Sequence, residues 1–278
     1  MSSLGDRVAA CSAVVLVLSG CVEIDPSYGE SYTTGDPTSA GPGTTGPGTA
    51  GTDDTDDTES SGASACDCGP WELCEAGACT TPARILFINL EGATTVFGVA
   101  DASMDSHNLY PELAGTWAGY SADPAQRQAL LDAIAAQWAP FDVLVTDQRP
   151  EASAAPYLMA IVTADPPPAG FEGVAWIAFP DCGDLIARDV TFVFDAPGDG
   201  FTTQQHANST SGAIARTFGL QLTSSPDDIT GFGGQFVDAC IARSENPPCD
   251  AHDPSVCGGD ASQQNSFRVL EALLGLRG

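Results

Sequence analysis

Large apolar side chains are almost absent from residues 22–64 and return after Arg84 in short, evenly punctuated runs, and this division most constrains how the 278-residue chain can fold. Ile85 to Leu90 is an apolar run closed by Glu91-Gly92, which predicts a buried strand. Phe141 to Thr146, Tyr157 to Thr163, Gly173 to Phe179 and Asp189 to Phe194 read as four more strands. Between the first two runs the period changes. Asp123-Pro124 has the form of a helix start, with proline at the first position. Leu130, Ile134 and Trp138 then recur four residues apart as one buried face, and Pro140 ends the pattern. A second helical stretch covers about 203–220, with Ile214 and Phe218 on one face, and a last helix covers about 267–276. The expectation is one α+β domain over residues 84–278, long enough for a sizeable core.

The segment before it has a different character. Residues 21–64 are rich in Gly, Thr, Ser, Pro and Asp, and the run Asp53-Asp54-Thr55-Asp56-Asp57 has no basic counterpart. Such a composition buries too little apolar surface to offset its ordering entropy, so it reads as a disordered acidic tether reaching roughly 35 Å. Its aspartates lack the spacing of a calcium loop. Residues 1–20 read as a signal peptide, with a short polar start and an apolar run from Val8 to Leu18 that is short for a bilayer span. Leu18-Ser19-Gly20-Cys21 resembles the bacterial lipobox, which implies a lipid on Cys21 and a membrane as partner. Val22, in place of an aspartate, points by the same resemblance to the outer membrane or cell surface of a two-membrane bacterium. The chain has no lysine, only nine arginines, and its formal net charge is -28, which excludes nucleic acid as a partner.

Of ten cysteines, Cys11 falls in the signal and Cys21 at the lipobox, leaving eight for four disulfides in an exported chain. Cys66, Cys68, Cys74 and Cys79 form a small module over residues 65–81. Cys66 and Cys68 are too close to pair easily, so Cys66–Cys74 with Cys68–Cys79 is expected, with a four-thiolate zinc knuckle as the alternative. In the main domain Cys182, Cys240, Cys249 and Cys257 allow three pairings. Cys249–Cys257 across a short turn-rich step, with Cys182–Cys240, is the most economical.

Residues 212–222, Gly-Ala-Ile-Ala-Arg-Thr-Phe-Gly-Leu-Gln-Leu, resemble the zinc motif of the metzincin metallopeptidases, H-E-x-x-H-x-x-G-x-x-H, aligned on Thr217-Phe218-Gly219-Leu220. The order of elements over 84–278, the Glu91-Gly92 strand end and the Trp138–Val143 junction are similar to the zincin superfamily. The resemblance implies a zincin-like twisted mixed sheet over two helices, with a cleft beneath the edge strand and a degenerate active-site helix. It places the three ligand positions on Gly212, Arg216 and Leu222 and the general base on Ala213; only Gly219 keeps the family residue. Glycine, alanine and leucine side chains have no lone pair and arginine is a permanent cation, so no metal and no cofactor is expected. The implied protein is a catalytically inactive relative with a binding or structural role, whose candidate ligand is a peptide or protein in the vestigial cleft. The alternative is an active zinc metallopeptidase with ligands from elsewhere.

The remaining candidates are weaker. His206 precedes Gly212 by six residues, on another helical face, and cannot replace a lost ligand; His107 and His252 sit in polar, loop-like surroundings and read as solvated. Asp227 and Asp228 after Pro226 mark a turn. Gly231-Phe232-Gly233-Gly234 reads as a flexible loop rather than a phosphate cradle, and Asn208-Ser209-Thr210 as a sequon without consequence. No G-x-S-x-G is present, and the remaining cysteines are better explained as disulfides than as a catalytic thiol.

Overall fold

The cysteine-rich segment folds as a hairpin, β1 (Leu73–Glu75) and β2 (Ala78–Thr80), turned through Ala76 and Gly77, both at positive φ. Two successive left-handed residues match the twist of a tight two-residue hairpin. The computed structural model describes residues 66–120, 123–152, 155–195, 200–244 and 254–278; the regions read as signal and tether, with Cys21, Cys249 and His252, lie outside them. Cys66 is bonded to Cys74 and Cys68 to Cys79, as the spacing predicts. Cys74 and Cys79 face each other across the hairpin, yet each is tied to the irregular segment that precedes it.

The chain then enters β3 (Arg84–Asn89), β4 (Gly92–Phe97), β5 (Ser106–His107) and β6 (Gly115–Ala118), followed by helix α1 (Pro124–Trp138). Asp123 caps α1, its side chain accepting from the Ala125 amide at 2.8 Å, and Leu130, Ile134 and Trp138 are fully buried. Strands β7 (Val143–Thr146), β8 (Tyr157–Thr163), β9 (Trp176–Ile177) and β10 (Val190–Phe194) lead into α2 (Thr203–Thr217). After a 3-10 turn at Ile229–Gly231 come β11 (Ile241–Ala242), β12 (Gln263–Gln264) and α3 (Ser266–Leu274).

The main sheet is mixed, in the order β7-β3-β8-β10-β9, with β9 alone antiparallel. Its strands are apolar on both faces because both are covered. In β8, Leu158, Ala160 and Val162 join the core shared with the helices, while Tyr157, Met159 and Ile161 join a second core on the other side. That second core is roofed in part by a three-stranded sheet, β5-β4-β6. Its strands carry few buried apolar residues, β4 showing only Thr95 buried, so their sequence does not announce them.

Several boundaries move. The run 173–179 contributes only Trp176–Ile177 to the sheet, and the helical stretch 203–220 stops at Thr217. The last helix is Ser266–Leu274, ended by Gly275 at φ +75. The second disulfide set differs in pairing: Cys240 is bonded to Cys257, so neither Cys182–Cys240 nor Cys249–Cys257 exists. Cys182 is also disulfide-bonded. The short antiparallel contact of β11 with β12 brings the segment after Cys240 beside that after Cys257, a juxtaposition that linear spacing does not encode.

Candidate functional site

Helix α2 begins with a capping box, Thr202 and Gln205 each bonding the other's backbone amide. From His206 onward nearly every residue is buried, because α1, the sheet and the turn at 229–231 close around the helix. Polar seams fix it against α1: the Trp138 indole donates to Ser211 Oγ at 3.1 Å, and Ser211 Oγ donates to Gln137 Oε1 at 2.6 Å. The sequon asparagine, Asn208, accepts from Gln137 and Gln204 and donates to the Phe232 carbonyl, so its amide is occupied within the fold.

The C-terminal end of α2 explains Gly219 without a metal. Gly219 adopts φ +82, its amide donating to the Arg216 carbonyl at 2.8 Å, while the Leu220 amide donates to the Ala215 carbonyl at 3.2 Å. That pair of bonds is a Schellman cap, which needs a left-handed residue at this position. A Cβ on Gly219 would also lie 2.9 Å from the Asp181 carbonyl oxygen. The loop 181–184 is tied to the same turn, the Asp181 amide donating to the Arg216 carbonyl.

The five motif positions do not converge on a ligand set. Gly212 and Arg216 lie one turn apart on α2. A Cβ on Gly212 would meet the Ile229 carbonyl oxygen at 3.1 Å and the Trp176 indole nitrogen at 3.9 Å, so the turn at 229–231 and the edge strand β9 close over it. Ala213 is fully buried and Arg216 is 6% exposed. Leu222 is half-buried in the chain beyond the helix, its carbonyl accepting from the Ser244 amide and hydroxyl. These side chains cannot hold zinc: four of the five carry no donor atom and the fifth is a cation. Among the described residues the one group of metal-capable side chains is Cys66, Cys68 and Cys79, and all three sulfurs are in disulfides, which excludes the zinc knuckle.

Two histidines lie in the core. His206 is 4% exposed, its Nδ1 3.2 Å from Asp195 Oδ2, between the rings of Tyr120 and Phe201. His107, expected to be solvated, has no exposure at all. The turn at Asp227-Asp228 is present but is more than a turn. Asp228 is fully buried and accepts from Thr230 N, Thr230 Oγ1, Ser266 Oγ and Val237 N. These donors tie the carboxylate into the fold from three separate segments. Its sequence signal is local only in part, an aspartate two residues before a threonine; Val237 and Ser266 arrive from far along the chain. The glycines after it are not slack: a Cβ on Gly231 would fall 1.9 Å from the Ser225 carbonyl oxygen, and one on Gly233 2.1 Å from that of Asp227.

Acidic groups gather on the loop against α2. Burial raises the Asp189 carboxyl to about 7, opposed by the Val190 amide and reinforced by Asp181 and Asp184. Burial likewise raises Asp184 to about 6, opposed by its partner Arg84, whose guanidinium also lies over the Phe218 ring. This cluster is a packing element, with its one close cation already engaged. No protein-family model matches the chain, and no curated protein is significantly similar to it.

Proposed function

We propose that the protein is an exported, lipid-anchored envelope protein whose folded domain is a zincin-like scaffold without zinc chemistry, serving a binding or structural role. The element order supports this reading. From β3 the chain runs strand, helix, strand, strand, strand, strand, helix, irregular stretch and helix, with β4–β6 added between β3 and α1. The antiparallel edge strand β9 lies over the helix that carries the degenerate motif, where the resemblance implies a cleft. The carrying observation is the end of α2: Gly219 keeps the turn, while Gly212, Ala213, Arg216 and Leu222 offer nothing to a metal. The burial of Arg216 favours a part in packing over the capture of an acidic ligand.

Metal analysis of the purified protein should find no stoichiometric zinc, and neither casein nor short peptides should be cleaved, with or without added zinc. Chelator-sensitive proteolysis would overturn the reading and favour an enzyme with unconventional ligands. The anchor has its own test. A fatty-acid analogue should label the wild type and not Cys21→Ser, and equal labelling of both would remove the lipid from the proposal.

A further inference from the structure

The geometry points to His107 as an acid-labile pin, whose protonation releases the segment from β4 to β6 from the aromatic face of the main sheet. His107 sits at the end of β5, which pairs in parallel with the end of β4, Phe97 opposite His107. Its ring lies edge-on to Phe192 of β10 at 5.2 Å and to Phe97 at 6.1 Å. It is fully buried, and neither Nδ1 nor Nε2 makes a hydrogen bond of normal geometry. A neutral imidazole tolerates this site; an imidazolium, with two N–H groups and a charge, does not.

No carboxylate compensates. Strands β4 and β10 carry no titratable side chain along their lengths. The acids flanking the packed elements are engaged elsewhere. Asp101 accepts from the Ser103 amide and hydroxyl, and Asp105 pairs with Arg149. Asp189 accepts from the Val190 amide, and Asp195 lies against His206. Arg188 lies over the Tyr157 ring, Tyr110 meets the rings of Phe171 and Phe179 at steep angles, and Glu112 is exposed. The Leu113 carbonyl alone favours the protonated ring, and burial outweighs it, holding the His107 pKa below 6.5.

A folded pKa below the unfolded one means that the opened state binds the extra proton. Stability of this segment is therefore complete above about pH 6.5 and falls as pH drops below it. Opening would add Phe192 and Trp117 to the already exposed Val96, Phe97, Val99 and Met104, enlarging the apolar surface in acid.

Hydrogen exchange of the protein, corrected for intrinsic rates, tests the idea at pH 7.5 and pH 5. Protection over 96–113 should fall as pH drops below 6.5, by at most about tenfold per unit and levelling off below the folded pKa of His107, while β8 and α1 keep theirs. Binding of an apolar dye should rise over the same range. His107→Phe, and His107→Gln should that variant fail to fold, should hold protection level. Equal acid loss in the wild type and the folded variant, or no loss in the wild type, would overturn the proposal. So would a His107 pKa at or above 6.5 by NMR titration, which needs no variant.

Discussion

Asp189 shows how one buried group makes stability depend on pH. Its carboxyl is raised to about 7 in the fold against 3.8 for an ordinary aspartate, first by burial and then by Asp181 and Asp184. The folded state therefore keeps a proton that the unfolded chain has lost, and stability declines from about pH 4 to 7, with the full penalty above. Asp189→Asn retains an oxygen for the Val190 amide and removes the penalty. It should gain on the order of 1–3 kcal/mol at pH 8 and little at pH 4.5, by urea titration. An equal gain at both pH values would refute the argument. Asp228 is buried with its donors in place: Asp228→Ala strands Thr230, Ser266 and Val237 donors in the core and should cost about 3 kcal/mol or more.

At the scale of elements, α1 was fully legible and α2 only in part. The face of α1 is a local repeat, and its boundaries follow from Asp123, Pro124 and Pro140. Ile134→Ala should lose about 2–5 kcal/mol, whereas a polar substitution at exposed Ala136 should change little. Helix α2 has a weaker stripe because it is enclosed on several sides, so its polar residues Ser209, Thr210 and Ser211 are buried as well. Its end depends on one backbone angle. Gly219→Ala should cost about 2 kcal/mol, from the positive φ and the contact with the Asp181 carbonyl, measured as a shift in the urea midpoint. A neutral outcome would show that the 181–184 loop moves away freely.

For the whole molecule, the described part is held together by covalent links as well as by two apolar layers. All seven described cysteines are disulfide-bonded, and three bonds account for six of them. Cys249 is the one cysteine after Cys66 not among them. Peptide mapping without reduction should therefore recover Cys182 linked to Cys249, with no free thiol beyond residue 65. A free thiol at either position would break this assignment. The hairpin of residues 73–80 gains most from its two bonds, since it has little core of its own.

The amino-acid sequence alone determined what depends on near neighbours. The apolar runs that became β3, β7, β8 and β10, the face of α1 and the pairing of the first four cysteines are all encoded within spans of a few residues. Tertiary structure decided the rest, because burial and pairing are properties of distant segments brought together. His107 lies in a polar stretch, and its burial depends on partners such as Phe192, which returns on β10. Cys240 meets Cys257 because β11 meets β12. Gly212 and Arg216 are closed in by Ile229 and by the loop beginning at Asp181, contacts that no helical periodicity carries.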